Sequence, residues 1–150
     1  MKSLAACLCL GLMCIAMNAC TSVTALEPQS VTRDTANARI YFIRPSSIIS
    51  SGQTVGITVN GKEVGSLGIG TFMHIDRPAG QYRVVAALAL DFGQTEVTLN
   101  VAPQKDYYFK IFPAGSHVAA VGSVAAVSNK LGIAEISEAE AKSLMREMAR

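Results

Sequence analysis

The sequence predicts a mainly β protein, an antiparallel β-sandwich of about seven to eight strands with one C-terminal α-helix. From residue 38 onward, short runs alternate apolar and polar side chains, which is typical of strands with one buried face. Gly, Pro and Asn interrupt these runs at intervals of about 8 to 12 residues, the spacing of turns in sandwiches. Only residues 137–150 repeat apolar side chains at clear helical spacing.

The N-terminal segment is typical of a secretory signal peptide. Lys2 gives the start a positive charge, and residues 4–17 are uncharged and mostly apolar. This run is shorter than the roughly 20 residues that a membrane-spanning helix needs. We therefore expect residues 1–19 to be a signal peptide that is removed from the mature protein.

The residues at the expected cleavage point resemble the lipobox of bacterial lipoproteins. Ala19 and Cys20 match that motif, whereas Met17 and Asn18 stand where Leu and a small residue are usual. The resemblance implies that Cys20 carries a diacylglyceryl group and often a third fatty acyl chain, such as palmitate. The alternative is plain secretion with cleavage near Ala19, which gives a soluble protein.

The cysteine distribution favours lipidation. Three of the four cysteines lie inside the expected signal, namely Cys7, Cys9 and Cys14. The mature chain keeps only Cys20, so no intramolecular disulfide can form, and acylation removes an unpaired thiol from an oxidising compartment. Thr21 follows in place of the Asp that retains lipoproteins in the inner membrane. We therefore expect the protein on the periplasmic side of the bacterial outer membrane, held by two or more acyl chains.

Residues 20–37 are predicted to form a flexible, lipid-attached tether. The segment is polar, contains Pro28 and shows no periodicity. Fully extended, it spans about 50 Å at roughly 3.3 Å per residue. The alternative is that part of it packs on the domain near Val31. The predicted domain then covers residues 38–150.

The first half of the predicted domain contains a hairpin signal. Residues 38–44 form a strand with Ile40 and Phe42 on one face, and Pro45 ends it because proline lacks an N–H donor. Residues 55–59 and 62–67 alternate on either side of Asn60-Gly61. Asn-Gly between two such runs predicts a type I′ hairpin, since both central residues need positive φ.

The second half of the predicted domain is less regular. Further strands are predicted at residues 71–76, 81–90, 97–101 and 106–112, with a turn at 113–115 and a short last strand at 131–136. Residues 118–127 are rich in Ala and Val, and they fit either a strand or a loose apolar loop, with the strand favoured. Residues 138–149 form the helix, because Ser137 and Glu140 make a capping box. Its predicted buried stripe consists of Ala141, Leu144, Met145 and Met148.

Four segments together resemble a bacterial family whose domain has no assigned function. They are residues 38–45 (Ala-Arg-Ile-Tyr-Phe-Ile-Arg-Pro), 59–65 (Val-Asn-Gly-Lys-Glu-Val-Gly), 78–82 (Pro-Ala-Gly-Gln-Tyr) and 105–109 (Lys-Asp-Tyr-Tyr-Phe). The resemblance covers about half of the chain, up to Phe112. It implies a short lipoprotein or secreted protein with an accessory β-sandwich, and it brings no catalytic residues.

The sequence offers little catalytic or metal-binding chemistry. His74 and His117 are far apart, and neither has a Cys or carboxylate cluster at ligand spacing. A metal site using His74 and Asp76 is the alternative to the simpler interpretation of His74 as a surface histidine on a strand. Without Lys2 the chain has 12 basic and 11 acidic side chains, which gives no basic face for nucleic acid. We expect no cofactor and no metal.

The candidate contact residues are Arg44, Tyr41 and Tyr108. Arg44 ends a strand beside Pro45 and can present a guanidinium to an anion, although an internal salt bridge is the simpler role. Tyr41 and Tyr108 can form an aromatic patch on the solvent side, with core packing as the alternative.

These features predict a non-enzymatic, lipid-anchored cell-envelope protein that acts as a binding or structural module. Its expected partners are the membrane, through the lipid, and an envelope protein or polymer. The alternatives are a hydrolase of envelope polymers and an assembly subunit that adds a strand to a partner sheet.

Overall fold

The computed structural model describes residues 22–46, 52–89, 93–121 and 124–149, and it describes no side chains between 116 and 129. The expected signal, Cys20 and the side chain of His117 therefore lie outside the described part. The described elements are β1 (Val23–Ala25), β2 (Ala38–Arg44), β3 (Val55–Val59), β4 (Lys62–Leu67), β5 (Thr71–Arg77), β6 (Gly80–Leu88), β7 (Gln94–Val101), β8 (Asp106–Val121), β9 (Val124–Glu135) and α1 (Glu138–Met148). None of the described helical residues forms a segment long and apolar enough to cross a membrane.

The strands form two sheets packed face to face. The five-stranded sheet has the order β1-β4-β3-β6-β7, and the four-stranded sheet has the order β5-β2-β8-β9. Alternate residues of each strand point into the space between the sheets, as strand geometry requires. Phe42, Ile57 and Ile111 are among the fully buried side chains of this core. The predicted mainly β class with one C-terminal helix is confirmed.

One strand pair differs from the predicted antiparallel arrangement. β2 and β8 are parallel, with Tyr41 opposite Tyr108. The chain reaches β8 from β7, which belongs to the other sheet, and it enters beside the start of β2, where the Arg39 amide donates to the Lys105 carbonyl at 2.9 Å. A strand that starts at the same end as its neighbour runs parallel to it. The crossing between sheets depends on packing, which local sequence patterns do not encode.

The β3–β4 hairpin agrees with its sequence signal. Asn60 has φ 50° and Gly61 has φ 80°, as a type I′ turn requires. The turn pairs Val59 with Lys62 and brings the two strands together in the five-stranded sheet. The hairpin prediction is confirmed.

The predicted turn at residues 113–115 is wrong. β8 continues through it, and the register against β9 shifts between Pro113 and Gly115. Such a bulge accommodates a proline that has no N–H donor and a glycine with φ 130° without ending the strand. β8 and β9 then stay paired as far as Val121 and Val124, so the strand interpretation favoured for this apolar region holds for its described backbone.

The segment predicted as a flexible tether is partly folded onto the domain. β1 pairs antiparallel with β4, with Thr24 opposite Ser66. The Gly68 amide donates to the Ser22 carbonyl at 3.0 Å, so this contact begins at the first described residue. The sequence pattern does not predict this pairing, because β1 has only three residues and is mostly exposed. The folded part of the chain therefore begins at least as early as Ser22, well before residue 38.

The helix α1 lies on the outer face of the four-stranded sheet. Its N-cap is Ser137, whose hydroxyl accepts from the Glu140 amide at 3.2 Å, as the capping pattern predicts. Ala141 is fully buried against Ile43 and Tyr108, and the remaining apolar residues of the predicted stripe pack around them. The helix bounds agree with the prediction to within one residue.

A groove on the outer face of the four-stranded sheet

Three aromatic rings lie side by side across β5, β2 and β8. Tyr41 is opposite both His74 and Tyr108 in the strand registers. The Tyr41 and Tyr108 rings stack with centroids 4.9 Å apart and planes 13° apart. The His74 ring lies 5.6 Å from Tyr41 at 52°. The row arises because residues paired in neighbouring strands point to the same face of a sheet.

This row borders a groove that α1 leaves uncovered. A depression of about 480 Å³ is lined by Val23, Gln29, Val31, Arg39, Tyr41, Phe72 and His74. A second depression of about 470 Å³ is lined by Tyr41, Phe72, Lys142, Met145, Arg146 and Ala149. Because the two share Tyr41 and Phe72, we treat them as one surface, the Tyr41 groove. One wall is the N-terminal segment and the other is the last turns of the helix.

The N-terminal wall is held by Gln29. Its side-chain amide accepts from the His74 backbone N–H and donates to the His74 carbonyl, both at 2.9 Å. The amide thus takes the place of a neighbouring strand at the edge of β5. Glu27 is also fixed, by a bidentate pair with Arg77 at 2.7 and 2.8 Å. The segment before β2 is therefore part of the folded domain.

Arg39 and Asp76 form an ion pair beside the groove. The guanidinium donates to both carboxylate oxygens, at 2.7 and 2.8 Å, and to the Val31 carbonyl at 3.1 Å. The hydrogen bonds from Arg39 lower the pKa of Asp76, and those to Asp76 raise the pKa of Arg39. Both carboxylate oxygens of Asp76 are therefore engaged by Arg39.

His74 is the polar group that sequence reasoning missed. It was interpreted as a surface residue, but the structure buries it to 9 % exposure beneath the N-terminal segment. Its Nε2 is buried and has no hydrogen-bond partner among the described residues. Burial first and the nearby Arg39 charge second lower the pKa of His74, so the imidazole is neutral at pH 7. The alternation of β5 places His74 on the same face as Phe72 and Asp76. No local sequence pattern predicts that the N-terminal segment covers His74.

Tyr41 and Tyr108 lie together, as an aromatic patch requires, but their exposure differs. Tyr41 is half-buried and lines both depressions of the groove. Tyr108 is 5 % exposed and packs beneath α1. Burial, followed by the negative charge of Asp106, raises the pKa of Tyr108 to about 12. Tyr108 therefore packs against the Tyr41 ring by stacking, and little of its own side chain is accessible to a partner.

Arg44 lies elsewhere, at the end of the core between the sheets. It is 5 % exposed, and its Nη1 donates to the Gln53 carbonyl at 2.6 Å and the Leu67 carbonyl at 2.9 Å. Burial lowers its pKa. This arrangement is typical of a structural role inside the protein and differs from the alternative in which Arg44 presents its guanidinium to an external anion. Arg44 points inward because it shares a strand face with Ile40 and Phe42.

The described residues contain no group of three or more His, Cys, Asp or Glu side chains that could hold a metal ion. The groove instead combines apolar and aromatic walls with one neutral imidazole and the cationic side chains of Lys142 and Arg146. Such a surface can hold an amphipathic partner by apolar contact and a few hydrogen bonds.

A family model described as a protein of unknown function, DUF2846, matches residues 34–124, which is more than half of the chain. The chain belongs to this family. The matched region begins just before β2 and includes β2 to β8, so the strands that carry Tyr41, His74 and Tyr108 are family elements, whereas β1 and α1 lie outside it. No curated protein and no solved structure matches the chain.

Proposed function

We propose that the protein is a non-enzymatic lipoprotein of the bacterial cell envelope, anchored through Cys20 and acting as a binding or structural module. The observation that carries the proposal is the position of Cys20 relative to the fold. It follows an apolar run and directly precedes a domain whose first described contact is the hydrogen bond between Gly68 and Ser22. A lipid at Cys20 leaves every element of the sandwich intact.

The proposed location is the periplasmic side of the outer membrane. Thr21 in place of Asp supports release from the inner membrane, and several acyl chains on one residue support stable attachment. The partners are the membrane and, through the exposed surface of the domain, an envelope protein or polymer. The nearly neutral mature chain does not favour nucleic acid.

A binding role fits the groove chemistry better than hydrolysis does. A hydrolase needs an acid or base held by a second group within hydrogen-bond reach. In the described part of the chain, His74 Nε2 has no such partner, and Asp76 is held by Arg39. A role as a strand-adding subunit needs an open sheet edge. Gln29 occupies part of the edge of β5, and in the described topology β7 is the edge strand that remains for such a role in the other sheet.

The anchor is tested by replacing Cys20. In cells fed labelled palmitate, we expect Cys20→Ser to lose the label and to leave the membrane fraction. Cys14→Ser is the matched control, because it removes a thiol from the expected signal and leaves the acylated residue in place. Its label and fractionation should equal those of the wild type.

Mass spectrometry of the mature protein gives an independent answer. We expect an N-terminal residue 20 that carries the added mass of its acyl chains. A mature protein that begins elsewhere, or an unmodified Cys20, contradicts the anchor. A soluble secreted protein then replaces the lipoprotein as the proposed function.

A further inference from the structure

We propose that the Tyr41 groove is the face through which the domain lies against the phospholipid bilayer. This inference rests on the proposed lipidation of Cys20 and adds an orientation to it. The occupant of the groove is the bilayer surface, with apolar side chains at the level of the headgroups and acyl chains and with cations facing anionic headgroups.

The first argument is the distance between the lipid and the fold. Ser22 is fixed to Gly68, and Val23 is paired with Leu67 in the five-stranded sheet. Only Thr21 lies between Cys20 and Ser22. The two steps along the chain from Cys20 to Ser22 span at most about 7 Å. A lipid on Cys20 therefore enters the membrane next to Val23, which lines the groove. The domain has no long tether that would let another face turn toward the bilayer.

The second argument is that the docking of β1 is built into the fold. A Cβ on Gly65 would clash with the Thr24 carbonyl oxygen of β1, and one on Gly68 would lie 2.8 Å from the Ser22 carbonyl oxygen. Both glycines thus leave room for the N-terminal strand. With the Gln29 and Glu27 contacts, they fix the segment that starts beside the lipid.

The third argument is the position of the exposed apolar side chains. Among the described residues, four large hydrophobic side chains are exposed, and three of them, Val23, Val31 and Phe72, line the groove. Met145 continues the same surface on α1. Exposed apolar side chains that cluster on one face mark a contact with another apolar phase.

The fourth argument is the charge at the rim of the groove. Lys142 and Arg146 both line it. The Lys142 ammonium pairs with Glu138 at 2.5 Å, while its side chain stays 60 % exposed. Cations that flank an apolar strip are suited to a bilayer with anionic lipids, which concentrates positive charge at its surface.

The orientation is tested with single thiol labels. Because Cys20 is acylated and the other cysteines leave with the signal, a new Cys is the only free thiol of the mature protein. An environment-sensitive fluorophore is placed at Phe72→Cys or Met145→Cys, with Thr98→Cys as control, since Thr98 is exposed on β7 of the other sheet. The full lipidated protein is reconstituted into vesicles of phosphatidylethanolamine, phosphatidylglycerol and a lipid with a nitroxide on its acyl chain.

We expect quenching at residues 72 and 145 to exceed quenching at residue 98 several-fold. Equal quenching at all three sites, or stronger quenching at residue 98, overturns the orientation while leaving the lipid anchor in place. If the lipoprotein proposal itself fails, the protein carries no acyl chain and none of the three variants associates with vesicles. The two failures are therefore distinguishable.

A charge variant tests the rim. Lys142→Ala combined with Arg146→Ala removes two positive charges, and Lys105→Glu changes the net charge by the same amount at the exposed turn before β8. We expect the double variant to lower quenching at residue 72 and Lys105→Glu to leave it unchanged. Equal losses in both variants assign the effect to net charge and overturn the role of the rim.

Discussion

At the scale of single residues, the outer face of the four-stranded sheet shows how neighbours set the state of a polar group. Arg39 and Asp76 satisfy each other with two charge-assisted hydrogen bonds, which keeps the carboxylate ionised. Two residues away, His74 is buried beside the same cation and stays neutral. Its buried Nε2 has no hydrogen-bond partner within the described part of the chain, so its environment differs sharply from that of the neighbouring ion pair.

The buried histidine predicts a pH dependence of stability. The pKa of His74 is lowered in the folded state from its ordinary value of 6.5. At a pH between the folded-state pKa and 6.5, the unfolded chain therefore binds more protons than the folded one. The contribution of His74 to the free energy of unfolding should be fully present above pH 6.5, and it should decrease as the pH falls below that value. The carboxylates of Asp76 and Glu27, whose pKa values are also lowered, titrate at more acidic pH and leave this window to His74.

Urea unfolding between about pH 7.5 and about pH 5.5 measures this effect. His74→Gln should lose less stability over the interval than the wild type. His117→Gln, measured in parallel, gives the separate contribution of the second histidine. A His74→Gln profile identical to that of the wild type contradicts the assignment.

At the scale of elements, β1 is the piece that sequence patterns could not reveal. A strand of three residues, two of them exposed, gives no periodic signal. It exists because β4 provides a partner and glycines provide room. Longer elements are predictable from local sequence. β3, β4 and α1 carry their own turn and capping signals, and they form where those signals place them.

The glycine contacts predict the cost of a single methyl group. In Gly65→Ala, φ 153° and the clash with the Thr24 carbonyl oxygen both oppose the new Cβ, so we expect a loss of about 1–3 kcal/mol in unfolding free energy. Hydrogen exchange should become faster at the amides of β1. Gly52→Ala is the matched control, since its Cβ meets nothing within 4 Å, and it should change stability by about 0.5 kcal/mol or less.

Unfolding in chemical denaturant, followed by circular dichroism, gives both free energies. If Gly65→Ala and Gly52→Ala prove equally stable, the close approach of β1 to β4 is wrong. The short path from Cys20 to the sheet then loses its support.

At the scale of the whole molecule, two apolar clusters join three layers: the two sheets and the helix α1. The large core lies between the sheets, and a smaller cluster joins α1 to the four-stranded sheet. β2 takes part in both, because Phe42 faces the core and Ile43 faces the helix. Its parallel pairing with β8 holds these layers together from the centre of the sheet.

Two phenylalanines report on the two faces of the four-stranded sheet. Phe42 is fully buried, so Phe42→Ala should cost about 3–5 kcal/mol in unfolding free energy. Phe72 is 37 % exposed on the groove, so the same substitution there should cost about 1 kcal/mol or less. Thermal or urea unfolding of both variants provides the comparison. A larger loss at residue 72 than at residue 42 contradicts the assignment of core and groove.

The sequence by itself determined the fold class, the β3–β4 hairpin and the terminal helix, because turn residues, caps and alternation are local signals. Only the tertiary structure decided the parallel β2–β8 pair, the folded N-terminal segment and the burial of His74. Each of these depends on contacts between residues far apart in the chain, where the free energy of packing and not local propensity selects the partner.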